Sequence, residues 1–144
     1  MTYDAEKVKL WINNILDVLA QVADLEFQRK AWLEGRSFLS VSLAETSCQL
    51  YDDSAFRSFL ENCRQEKWLP ENILIKLEHF NVGFEKYLYS HGTHHFVEED
   101  MQSDPKWHEV QNIAKELLND FKALGFNPPD LSKLNYLKPP EQME

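Results

Sequence analysis

The residues best suited to chemistry lie in one stretch, "YSHGTHHFVEED", Tyr89 to Asp100. His91, His94 and His95 precede three carboxylates, Glu98, Glu99 and Asp100. Imidazole and carboxylate together are the donor set of zinc and other transition metals. His91 and His95 are four residues apart, as are His94 and Glu98, so each pair would share a face of an unbroken helix. Gly92 and Thr93 interrupt that helix, and Gly92 also stands where the metalloprotease signature needs a Glu after its first His. His79 and His108, on neighbouring helices, are the remaining imidazoles that could converge. A metal-binding bundle or a metal-dependent enzyme using His91, His94 and His95 is therefore the alternative reading. The favoured one is a surface element. His91 at a helix C-terminus meets the negative end of the dipole, and His94 and His95 sit beside carboxylates that raise their proton affinity. No catalytic residue is assigned, no cofactor is expected and the chain is not read as an enzyme.

Charge is the other property of this stretch. Between Thr93 and Val110 five acids (Glu98, Glu99, Asp100, Asp104 and Glu109) face a single base, Lys106. That is −4 of a net −9. A second acidic feature is "LYDDSAF", where Tyr51, Asp52 and Asp53 meet at a helix junction. The two carboxylates suit helix capping, and an exposed Tyr beside them suits an interface anchor. The expected binding residues are thus Tyr51, Asp52, Asp53, Glu98, Glu99, Asp100 and Asp104. In "QRKAWLEGR", which begins at Gln28, the basic residues Arg29, Lys30 and Arg36 are expected to complement the end of a helix, with Trp32 in the core. Cys48 and Cys63 are expected to be buried free thiols, because two cysteines make no disulfide framework.

These residues must be positioned by helices. Val8, Trp11, Ile15, Val18, Val22 and Leu25 step by three and four, widened by Ile12, Leu16 and Leu19. They predict a helix from Asp4 to Leu33, with room for a break near Asp24 and Gly35 as a stop. Ser42 and Glu45 form a capping box for a short helix to Tyr51. Asp52 or Asp53 caps the next, with Phe56, Phe59, Leu60 and Cys63 inward and an end near Lys67. Pro70 opens a helix carrying Ile73, Leu77, Phe80, Phe84 and Tyr87, which ends near Ser90. Asp104 caps the last helix and Pro105 takes its first turn. Its stripe is Trp107, Val110, Ala114, Leu117, Phe121 and Leu124, and Gly125 stops it, with Phe126 folding back onto Phe121. The expected fold is all-α: a single-domain bundle of about five helices over 1–138, with Leu131, Leu134, Tyr136 and Leu137 packing on it and a flexible Pro-rich tail over 139–144.

Composition agrees with that class. Apolar residues are 43% of 144, nine Phe, five Tyr and four Trp supply bulk, and Gly is rare at four. The polar start "MTYDAEKVKL" is no signal peptide, and no apolar run is long enough to span a bilayer, so a cytoplasmic location is expected. A net charge of −9 disfavours nucleic acid and anionic lipid and favours a basic protein partner.

The segments "QRKAWLEG" and "SLAETSCQLYDDSAF" together resemble a pattern in small helical bacterial proteins, in which Gln-Arg-x-x-Trp is followed later by Asp-Asp and an aromatic. Some of those are immunity proteins that neutralise secreted toxins, including those of contact-dependent inhibition systems. The resemblance covers residues 28–56, and no functional residue is carried over from it. It implies a non-enzymatic inhibitor of a basic toxin domain, such as a nuclease whose phosphate-binding site is positive. A helical adaptor protein is the remaining alternative, and the oligomeric state stays open.

Overall fold

The computed structural model describes residues 5–33, 43–91 and 104–131, and among them there is no strand. Six helices follow in order: α1 (Ala5–Ala23), α2 (Leu25–Phe27, continued by wide π-helical turns over Gln28–Leu33), α3 (Leu43–Cys48, continued likewise over Gln49–Asp53), α4 (Phe56–Glu66), α5 (Glu71–His91) and α6 (Pro105–Ala123). α6 packs on both α1 and α5, α4 packs on α5, and the α3 unit bridges α1 and α4. Gly35 and Ser42 lie outside the described residues, as do Leu134, Tyr136, Leu137 and the tail.

Among the described residues there are six helices where about five were expected, because the first long helix breaks at Asp24. Asp24 leaves the helical region, with φ −107° and ψ 99°, and its carboxylate accepts from the Phe27 amide at 3.0 Å. Such a break orphans the last carbonyls of α1. Gln28 answers them: its Nε2 donates to the Gln21 carbonyl at 2.8 Å and to the Val22 carbonyl at 2.6 Å. Its Oε1 accepts from Trp107 Nε1 at 3.0 Å and from Gln111 Nε2 at 3.3 Å. A fully buried Gln28 thus uses both donors and both lone pairs, and ties the kinked α1–α2 unit to α6. The Gln21 side chain extends the network to α3, accepting from Thr46 Oγ1 at 2.6 Å and donating to Gln49 Oε1 at 3.3 Å.

Around this polar hub the core is aromatic. Trp107, Phe56, Phe59, Phe80, Phe84 and Phe121 are all under 2% exposed. Phe84 and Tyr87 meet the Trp107 ring at centroid distances of 6.1 and 4.8 Å. Ring contacts of this kind add to the area they bury.

The end of α6 fulfils its sequence pattern. Gly125 adopts φ +100°, its amide donates to the Lys122 carbonyl at 3.0 Å, and the Phe126 amide donates to the Phe121 carbonyl at 3.0 Å. The Phe126 ring then packs edge-on against Phe121 at 5.7 Å, which completes a Schellman turn. Leu124 differs from expectation: it is 44% exposed, because the turn begins there and carries its side chain off the stripe. Pro70 stands just ahead of α5 rather than in its first turn, its carbonyl accepting from the Ile73 and Leu74 amides at 3.1 Å each.

Candidate functional site

The junction between α3 and α4 is held on two sides. After Cys48 the helix widens into π-helical turns and closes when the Ser54 amide donates to the Gln49 carbonyl at 2.9 Å. Trp11 of α1 donates its indole N–H to the Ser54 carbonyl. Ala55 follows in the left-handed region, φ 44° and ψ 55°, and turns the chain into α4. A residue with a Cβ is strained there, so the surrounding contacts must hold it.

Tyr51 supplies the second anchor. Its ring stacks on Phe84 at 6.2 Å, and its hydroxyl donates to Asn81 Oδ1 at 2.8 Å. The Arg57 guanidinium sits 4.4 Å above the ring and pairs with Glu85 at 2.7 Å. Burial, then the charge of Glu85, pushes the Tyr51 phenol above its usual range against the opposing Arg57. Tyr51 is half-buried and fastens the junction to α5, where the sequence suggested an exposed aromatic.

Asp52 and Asp53 are left in solvent by this arrangement. They do not cap α4, which starts at Phe56 with Ala55 as its cap residue and no side-chain cap bond; the π-helical turns absorb both aspartates before α4 begins. Nor is Cys48 buried as expected. It is exposed, because Leu43, Thr46 and Leu50 take the inward face of this helix, while Cys63 is buried. The Cys48 thiol is pushed up by desolvation, by the charge of Asp52 and its hydrogen bond to it, and by the charges of Glu45 and Asp53. One thiol therefore feels three carboxylates, and the third, Glu45, is a residue the sequence reading used only for capping.

Beside Asp53 lies a shallow depression of about 380 Å³, lined in part by Lys7, Leu10, Trp11 and Asn14. Leu10 is 64% exposed. Around the exposed Leu10 the lining carries one carboxylate, Asp53, and one ammonium, Lys7. The sequence signal was there, since Leu10 falls off the inward stripe of α1.

The other expected binding residues fall elsewhere. Asp104 caps α6, its carboxylate accepting from the Lys106 amide at 2.9 Å. Glu98, Glu99 and Asp100, with His94 and His95, lie outside the described residues, and His91 is the last residue of α5. Of the other imidazoles, His79 is exposed on α5 and His108 half-buried on α6. Among the described residues no three His, Cys, Asp or Glu side chains are placed to hold a metal ion, and no helix is long and apolar enough to cross a membrane. Arg29 and Lys30 both pair with Glu26, the latter at 3.3 Å, and Trp32 packs against Trp107 at 6.2 Å. No protein-family model, curated protein or solved structure matches the chain.

Proposed function

We propose that this protein is a non-enzymatic inhibitor of the immunity type, which neutralises a basic toxin domain through an acidic face centred on Asp52 and Asp53. The observation that carries the reading is the rigid presentation of these two carboxylates. Trp11 and Tyr51 hold the junction from opposite sides, so Asp52, Asp53 and Glu45 stand exposed without needing to be ordered on binding. Leu10 and the depression it lines with Asp53 and Lys7 supply an apolar contact beside the carboxylates. A nuclease site is positive because it holds phosphates, so a surface of this charge occupies it in the substrate's place. Complementary charge also raises the rate of encounter. Net charge and the resemblance of residues 28–56 to immunity proteins support the same class. The sequence carries further acidic charge at Glu98, Glu99, Asp100 and Asp104, and the cytoplasm is where such an inhibitor would protect its own cell.

The test is binding to, and inhibition of, the toxin-like product of an adjoining gene. Asp52→Lys with Asp53→Lys should slow association and flatten its salt dependence, with a Glu98→Lys, Glu99→Lys, Asp100→Lys variant measured in parallel. Unchanged binding and inhibition in both variants would remove the acidic face from the interface. A stoichiometric transition metal in untagged protein, lost with function when His91, His94 and His95 become Gln, would replace this reading by the metal-site one.

A further inference from the structure

Six acids are half-buried among the described residues, and five of them are satisfied. Glu78 pairs with Arg64, Glu85 with Arg57 and Asp120 with Lys76. Asp24 and Asp104 cap helices with their carboxylates. Asp17, on α1, is the sixth. It makes no hydrogen bond or ion pair among the described residues. Burial alone pushes its carboxyl above the usual range, and no neighbouring cation offsets that push. A carboxylate desolvated without a partner costs stability, so packing within the chain gives no reason for it.

Asp17 lines a cleft of about 520 Å³ between α1 and the turn that ends α6. Leu16, Leu124 and Phe126 give the cleft apolar walls. Its polar field is negative. The C-terminal end of α6 opens into it at Leu124 and Gly125, with the negative pole of the helix dipole. The cation in the lining, Lys9, is exposed and stands eight residues from Asp17, about 12 Å along the axis of α1. It leaves the carboxylate unneutralised.

We propose that this cleft binds a guanidinium or ammonium group carried on a short apolar stem. The cation meets Asp17, and the stem lies against Leu16, Leu124 and Phe126. Charge-assisted bonds to an acceptor already half out of water are the strong ones, and an apolar stem gains by covering the walls. A free alkyl amine and a basic side chain of a partner protein share this chemistry. The cleft has no lining residue in common with the depression beside Asp53, so it is a site separate from the acidic junction.

The probes are n-butylguanidinium, its neutral twin n-butylurea, and the blocked peptide acetyl-Gly-Arg-Gly-amide. Titrated into ¹⁵N-labelled protein, the guanidinium probes should shift the amides of Asn13, Asp17, Gly125 and Asn127. At least one of them should bind about tenfold more tightly than butylurea. Binding of butylguanidinium assigns the cleft to a free ligand, and binding of the peptide alone assigns it to a partner's side chain. Asp17→Asn should weaken that binding by about tenfold and leave Tm unchanged or raised, because it removes a desolvated charge. A carboxylate with a merely structural role would lower Tm when lost. No shift with any probe, equal binding of butylurea, shifts confined to residues away from the cleft, or binding indifferent to Asp17→Asn would overturn the proposal. So would a lowered Tm in that variant.

Discussion

Two regions of this molecule begin from the same local event, a helix that widens into π-helical turns, and end in opposite states. At Gln28 the irregular backbone faces inward, and every polar atom of the side chain finds a partner from α1 or α6. At the α3–α4 junction it faces outward, and the chain is fastened from beneath so that Asp52 and Asp53 remain hydrated. The first arrangement makes a hub on which three helices depend. The second makes a platform that holds charge out at little cost to folding. Irregular helix is thus used once for cohesion and once for display.

That contrast breaks first at Trp107. Trp107→Ala should lower stability by roughly 3–5 kcal/mol in chemical denaturation, because a fully buried indole and the Gln28 acceptor bond are lost together. A loss under about 1 kcal/mol would show that the hub is not a single unit. Gln28→Leu should follow with a loss of about 3 kcal/mol, since it strands the Trp107 and Gln111 donors and two carbonyls of α1 in the interior. Neutral behaviour there would mean that the kink at Asp24 survives without its amide clamp. At the platform the costs are smaller. Tyr51→Phe should lose about 1 kcal/mol, one hydrogen bond to Asn81 with the ring stack retained.

The smallest effect is the most local. Cys48 is exposed but its thiol is held above the usual range, while burial pushes Cys63 up to about 12. Alkylation with iodoacetamide should modify Cys48 first, and more slowly than a free cysteine near pH 8, because the thiolate is the reacting form. Asp52→Asn should bring the thiol down and speed the reaction at the same pH. An unchanged rate would mean that the three carboxylates do not share one field.

The sequence revealed most where the 3.6 period runs undisturbed. α6 was legible from its cap to its Schellman turn, and so were the inward faces of α4 and α5, because burial of one apolar stripe decides both. It revealed least where the winding changes. The break at Asp24 was foreseeable from a capping residue inside a stripe. The role of Gln28 was not, since nothing in a polar residue's type says that a kink will orphan two carbonyls beside it. The same widening carried Asp52 and Asp53 past the capping position and turned Tyr51 onto Phe84. The left-handed Ala55 has no sequence mark, as glycine or asparagine is the residue expected there. Of the proposed binding surface, Asp52 and Asp53 were read directly, whereas Glu45 and Leu10 needed the fold to bring them alongside.

The two ends of α4 have unlike consequences for how it opens. At its C-terminus Lys67, itself left-handed with φ 55°, donates its amide to the Cys63 carbonyl at 2.8 Å and shuts the last turn. At its N-terminus Ala55 offers no side-chain cap, and the first amide of the helix ladder is that of Phe59 on the Ala55 carbonyl. The amides of Phe56, Arg57 and Ser58 should therefore exchange with deuterium before the rest of α4, while the backbone ahead of them stays fastened by Trp11 and Tyr51. A partner seated on Asp52 and Asp53 would shield that uncapped turn, so its arrival would be written in the exchange rates of a helix it need not touch.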